Sequence, residues 1–397
     1  MKHNWEYKKL GEIAYFESGS RPSGGVRGIN NGVLSLGGEH IDINGYLNLT
    51  SPKYVSKHYF ESNLKGHIKD GDILLCKDGA LTGKVALVRN ELNGIDAMIN
   101  EHVFILRTNM LFQPYLFKYL FSKVGQQELK SRITGAAQGG LNRNNLSTTL
   151  IPLPPLSVQE RIVEELDGLS LILEKKKQQI KELDSLAQSI FYDMFGDPIE
   201  NEKGWEVRQL KNIAALKNGL NYDKVNKGYN VKILSVSDFQ NNKVISSTDI
   251  SYTIVSKEID ENFYLRDNDL IFVRSNGSKS LIGRCVLINT LGEAISFSGF
   301  CIRCRITSDC IIPQYVLSFM QNTKIREQLT GGGRGCNIQN INQQNLGNQL
   351  ILLPPLDLQQ SFAKKIEAIE KQKELINQSI KEVQLLFDAK MDYYFGD

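Results

Sequence analysis

The sequence predicts an α+β fold built as a tandem duplication, in which two mainly β lobes with associated helices are separated by two long helices forming an antiparallel coiled coil. Three observations predict it. Landmark residues recur at a constant offset of 200, each copy opens with short apolar runs broken by Gly, Asn and Asp, and each closes on a sustained heptad.

The chain has 397 residues, more than one ordinary core holds. With 41% hydrophobic, 23% charged and 9% aromatic residues, it has the composition of a folded soluble protein. The opening Met1 to Glu6 lacks the apolar stretch of a signal peptide, and no run of roughly 18 apolar residues occurs. A cytoplasmic protein that does not span a membrane is expected. The six cysteines (76, 285, 301, 304, 310 and 336) lack a disulfide framework's spacing and read as reduced thiols. Residues 1–156 carry 18 Lys and Arg against 13 Asp and Glu, a net +5, and residues 198–356 carry 18 against 14, a net +4. Residues 157–197 and 357–397 are net −4 and −2. Basic lobes alternating with acidic segments offer a polyanion two places to sit, with chance fluctuation of surface charge as the competing explanation.

The repeat runs from end to end. Trp5, Leu10, Ile13, Ala14 and Gly19 recur as Trp205, Leu210, Ile213, Ala214 and Gly219. Gly83 recurs as Gly283, Tyr115 as Tyr315, Leu153-Pro154-Pro155-Leu156 as Leu353-Pro354-Pro355-Leu356, and Gln159 as Gln359. Phe195-Gly196-Asp197 and Phe395-Gly396-Asp397 close the copies. The expected domains are therefore 1–152, a first lobe; 153–197, a first spacer helix; 198–352, a second lobe; and 353–397, a second spacer helix. Between the landmarks the copies differ widely, so the lobes need not act on the same target.

In each lobe the short apolar runs read as strands: 33–36, 72–76, 84–88 and 102–106 in the first, and 232–236, 269–273, 285–288 and 300–306 in the second. Pro114 to Lys130, and Pro313 to Leu329, read as one helix packed on each lobe. Leu-Pro-Pro-Leu then forces an extended stretch, with Ser157 or Asp357 placed to cap the helix beyond. The first helix places Ile162, Leu166, Leu169, Leu173, Ile180, Leu183 and Ile190 on one seam, with Lys176 and Ala187 completing the register. The second places Phe362, Ile366, Ile369, Ile376, Ile380, Val383 and Phe387 on its seam, with Lys373. Alternating steps of four and three are the coiled-coil signature, and about 38 residues of helix span about 57 Å, too long for one lobe to cover. The helices are expected to pair with each other, antiparallel, as a spacer; oligomerisation through the same seams is the alternative.

No catalytic centre presents itself. Gly79 to Val85 is one residue short of a phosphate-binding loop and has Val where magnesium needs Ser or Thr. Cys301 and Cys304 form a lone CxxC which a strand would place on opposite faces, and no second pair follows, so no metal site is assigned. All five histidines lie in the first copy, against a duplicated catalytic base. Polar and basic side chains on Gly-rich loops stand out instead. Arg pairs with guanine edges and Asn or Gln with adenine edges, while glycine lets backbone approach phosphates. The candidate DNA-contacting residues are Lys77, Thr82 and Lys84 in one turn, and Gln138, Asn142, Arg143 and Asn144 in the loop before the first Leu-Pro-Pro-Leu. Their counterparts are Arg274, Ser275, Asn276 and Lys279, and Arg334, Asn337 and Gln339.

Over its whole length this arrangement resembles the specificity subunit of type I restriction-modification enzymes. The resemblance rests on the Trp near each lobe's start, Gly71-Asp72-Ile73-Leu74 and Asn268-Asp269-Leu270-Ile271 with their following turns, the loops at 138–145 and 334–340, and the repeated Leu-Pro-Pro-Leu with Gln159 and Gln359. It implies two target-recognition domains, each reading a few base pairs of a split, asymmetric sequence in double-stranded DNA. It implies helices that set the unread gap and dock two methyltransferase (modification) subunits. It also implies that the chain is not itself an enzyme: S-adenosylmethionine would act in those partners, and ATP and Mg in motor-nuclease (restriction) subunits. The turn at Gly277-Ser278-Lys279-Ser280 departs from its counterpart at Gly79 to Gly83. Two other readings compete: a chain with nuclease or methyltransferase activity of its own, as in fused restriction enzymes, and a coiled-coil scaffold without a DNA role.

Overall fold

The computed structural model describes residues 5–22, 29, 31–133, 139–239, 243–331 and 340–396. It divides into two compact units, Met1–Lys177 with Asn377–Asp397, and Gln178–Ile376. The two long helices, Leu156–Phe195 and Leu356–Phe395, are each 40 residues, about 60 Å of helix, and each contributes one part to either unit.

In the first unit an antiparallel sheet orders Tyr15–Ser18, Val103–Arg107, Ile73–Cys76 and Val85–Leu87, and a smaller sheet orders Tyr54–Val55, Val33–Leu36 and Ala97–Ile99. The central strands are apolar at every position but the last, Arg107, because both faces are covered. Ile73, Leu75, Phe104 and Leu106 pack into one core, while Leu74, Cys76, Val103 and Ile105 pack into the other. The second unit repeats this with a five-stranded sheet, adding Val244–Ser246 at its edge. There Cys304 lies in one core and Cys301 in the other, on opposite faces as their spacing requires.

Four expectations are corrected. The helix expected over Pro114 to Lys130 is two, Gln113–Phe121 and Lys123–Ser131, because Ser122 turns extended and its side chain accepts from Gly125 N. Asn322 divides Pro313–Gln321 from Thr323–Leu329 in the same way. The strand expected at 232–236 is Lys224–Leu234, ending early where Ser235 N donates to Asp238 Oδ2 (2.7 Å). Ser157 and Asp357 sit inside the first helical turn; the carbonyls of Pro155 and Pro355 take the capping position, accepting from residues 158 and 159 and from 358 and 359. One pairing was not expected: Glu6–Lys9 lies antiparallel to Leu150–Leu153, and Glu206–Gln209 to Leu350–Leu353.

Along the first long helix Ile162, Leu166 and Leu173 are buried, and Leu169, Ile180, Leu183 and Ile190 half-buried. Along the second, Phe362 and Ile369 are buried, and Ile366, Ile376, Ile380, Val383 and Phe387 half-buried. The helices run antiparallel. In the first unit Glu165 accepts from Lys390 Nζ (2.9 Å) and Tyr394 Oη (2.7 Å). In the second unit Asp184 accepts from Lys373 Nζ (2.8 Å), which also reaches Glu370 (3.2 Å). The aromatic residue closing each copy docks on the other copy's lobe. Phe395 lies against Tyr115 (5.8 Å between centroids), and Phe195 against Tyr315 (4.8 Å).

The repeated landmarks have matching roles. A Cβ on Gly19 would come 2.1 Å from Asn100 O, and one on Gly219 would come 2.1 Å from Ser298 O, so only glycine fits where these strands close. Gly83 and Gly283 have φ of +92° and +74°, a conformation side chains disfavour. Gln159 and Gln359, both buried, accept from Phe112 N (2.9 Å) and Ile312 N (3.0 Å), and donate to Pro154 O and Pro354 O (2.8 Å each).

Candidate nucleic-acid interface

Each unit brings its two Gly-containing segments side by side. In the first unit the strand Ile73–Cys76 runs into a turn closed by Gly83 N donating to Cys76 O and Cys76 N donating to Lys84 O (both 2.8 Å). The loop before Leu-Pro-Pro-Leu lies against this turn: Leu141 N donates to Lys77 O (2.7 Å), and Gly140 bridges Asp78. The second unit repeats these bonds around a longer turn. Gly283 N donates to Val273 O (3.0 Å), Val273 N to Arg284 O (2.9 Å) and Ile341 N to Arg274 O (2.9 Å), and Asn340 bridges Ser275.

The candidate side chains divide by what already holds them. Asn142 caps the helix Arg143–Ser147 by accepting from Asn145 N (2.8 Å), and Arg143 donates to Phe16 O (2.8 Å). Thr82 donates to Gly79 O (2.6 Å), and Asn276 accepts from Ser278 N (2.8 Å). These residues shape the loops as well as line them. Lys84 Nζ reaches Ile41 O only at 3.5 Å, and Lys77 lies over the Phe104 ring at 5.3 Å from its centroid. Asn144 is exposed and Ser275 half-buried. Arg274, equivalent to Lys77, is half-buried with a buried Nε that has no hydrogen-bond partner, and among the described residues it makes no ion pair. A cation with no carboxylate partner among the described residues can meet an outside acceptor such as phosphate or a guanine edge. Gln138, Arg334, Asn337, Gln339 and the side chain of Lys279 lie outside the described residues.

Sequence reasoning passed over one position. Lys77 N donates to His102 O (2.9 Å) and Arg274 N to Phe300 O (2.8 Å), so His102 and Phe300 are counterparts beside the loops. His102 belongs to a charged cluster, with Nδ1 2.5 Å from Asp78 Oδ1 and Nε2 3.5 Å from Glu101, which Arg21 approaches at 3.6 Å. Phe300 instead stands 61% exposed beside a groove of about 510 Å³ lined by Asn221, Tyr222, Lys224 and Asn276. A phenylalanine opening an apolar run reads as core, so the sequence carried no signal for its exposure. Equivalent frames thus present a salt-bridged surface in one unit and an amide-aromatic surface in the other.

The four buried cysteines do not offer a nucleophile. Burial raises the thiols of Cys76, Cys285 and Cys304, and pushes that of Cys301 up to about 12, so all four stay protonated at neutral pH. Among the described residues no group of three or more His, Cys, Asp and Glu side chains is arranged to hold a metal ion, and no helix is long and apolar enough to cross a membrane.

The Type I restriction modification DNA specificity domain matches the chain twice, over residues 2–183 and 202–385. The chain is similar to the Type I restriction enzyme EcoKI specificity subunit of Escherichia coli (strain K12), 22% identical over 347 residues that cover 82% of this chain and 73% of that protein. It is similar to the MjaIX specificity subunit of Methanocaldococcus jannaschii, 23% identical over 392 residues, covering 92% and 87%. Two solved structures share the fold. One, from work on complex assembly and conformational transition of the type I R-M system, has a TM-score of 0.59 at 20% identity and covers 98% of this chain and 97% of that one. The other, the S subunit of a Type-I restriction-modification system from M. genitalium, has a TM-score of 0.55 at 12% identity and covers 99% and 96%.

Proposed function

The chain belongs to the type I restriction-modification specificity family, and from that premise we propose that its two units each read one half of a split, asymmetric sequence in double-stranded DNA. The observation that carries this reading is the repeated frame with unlike contents. The same hydrogen bonds hold a turn against a loop in both units, yet His102 with its carboxylates stands where Phe300 stands in the other. A frame kept constant while its contact chemistry changes suits two readers of different half-sites. The long helices set the unread gap and dock two methyltransferase subunits. The chain is non-catalytic: S-adenosylmethionine acts in those partners, and ATP and Mg act in restriction-motor subunits. Lys77 and Arg274 serve phosphate or base contact, so affinity for DNA falls steeply with added salt.

Genome-wide mapping of methylated adenines in a host with and without this chain tests the proposal. A split motif present only with the chain is expected. Methylation that is unchanged, or that follows an unsplit motif, overturns it. Purified chain that modifies or cuts DNA unaided would overturn its non-catalytic role.

A further inference from the structure

We infer that the groove of the second unit selects an A·T base pair, with Asn221 reading the adenine edge and Phe300 contacting the thymine methyl; this rests on the DNA-reading function proposed above. Phe300 is an apolar ring held in water by a fixed backbone. Its carbonyl accepts from Arg274 N (2.8 Å) and Ser275 N (3.4 Å), and its own N donates to Ser298 Oγ (3.1 Å). Such tethering fixes the backbone that carries the ring at the rim of the groove, and 61% exposure means that most of its apolar surface is not spent on the core. The neighbouring residue is Gly299, where a Cβ would come 2.2 Å from Asn221 Oδ1, so the absence of a side chain there brings the Asn221 amide beside the ring. Asn221 is exposed, and no hydrogen bond within the unit occupies its amide among the described residues.

An amide next to an apolar wall matches what an A·T pair presents in the major groove. Adenine offers N7 as acceptor and N6 as donor, the complement of one carboxamide, and thymine offers a methyl group. Asn276 adds a second amide in the same groove, and the exposed Lys224 at its edge supplies a cation for the adjoining phosphate. The first unit provides the contrast. At the equivalent place His102, Asp78, Glu101 and Arg21 pair with one another, so among the described residues a polar imidazole held by carboxylates stands where the second unit offers an apolar ring.

The test uses the full chain assembled with its methyltransferase subunits and duplexes carrying the motif found by methylation mapping. Replacing one thymine by deoxyuridine in one half-site, which removes only the methyl group, is expected to weaken wild-type binding about fivefold, whereas Phe300→Ala binds both duplexes alike. Asn221→Ala is expected to lower discrimination for adenine by about tenfold at the same base pair, with the other half-site read as before. Gly299→Ala should reproduce the Asn221→Ala pattern by displacing the amide. Uridine substitution that affects wild type and Phe300→Ala equally at every thymine overturns the inference, as does a motif that survives Phe300→Ala and Asn221→Ala unchanged. A wild-type complex that methylates no split motif would instead overturn the function proposed above.

Discussion

Gln159 and Gln359 illustrate how a single side chain can join three segments. Each bonds a helix-opening proline carbonyl with one end and the backbone N–H preceding a lobe helix with the other, wholly out of water. Removing one leaves a donor and an acceptor buried without partners, so Gln159→Ala should cost about 2 kcal/mol in a urea melt. Repetition flagged these residues in the sequence, but their partners were not legible because both are backbone atoms. Arg107 and Asp72 show the opposite case. Their twin bonds of 2.6 Å recur as Arg305 with Asp269 at 2.7 Å, yet neither pair was singled out from the sequence. Charges scattered along a chain look alike until strands bring them into register. Asp72→Ala should cost about 3 kcal/mol, at the lower end for a broken buried pair because Arg107 keeps Glu17 at 2.8 Å.

Among the elements, the long helices were the most legible, since a heptad repeats its signal over many turns, whereas the break at Ser122 rests on one capping hydroxyl. The ribbon of Glu6–Lys9 with Leu150–Leu153 was hidden because Pro152 reads as a strand breaker; it sits on a two-stranded edge, where its missing donor is tolerated. If the helices act as a ruler, deleting one heptad from the middle of each removes about 10.5 Å, roughly three base pairs of the unread gap. Methylation mapping should then return both half-sites unchanged at a shorter spacing, and an altered half-site would mean that the helices do not set the gap. The seam is also sensitive to acid. Burial raises the Asp184 carboxyl, but the hydrogen bond from Lys373 and the charges of Lys373 and Lys243 outweigh it and hold the group below its ordinary 3.8. A depressed carboxylate stabilises the fold above its unfolded value and loses that contribution as pH falls through the folded one. The stability advantage of wild type over Asp184→Asn should therefore be constant at neutral pH and shrink below pH 3.8, as followed by chemical denaturation.

At the scale of the molecule, the duplication was plain from the offset of 200, and the exchange within it was not. The repeat shows that Phe195 and Phe395 are equivalent but does not say on which lobe each one packs. In the fold each docks on the copy it does not belong to, where Phe395 meets Tyr115 and Tyr119, and Met391 and Tyr394 join the same core. Phe395→Ala should therefore destabilise the first unit by about 3 kcal/mol and leave the second untouched, a difference that hydrogen exchange resolves unit by unit. Order of synthesis gives the same feature a further consequence. The second unit, Gln178–Ile376, is continuous and is complete on the ribosome while the first still awaits the residues after 376. The half of the chain synthesised first is thus the half whose core receives its residues last, with Met391, Tyr394 and Phe395.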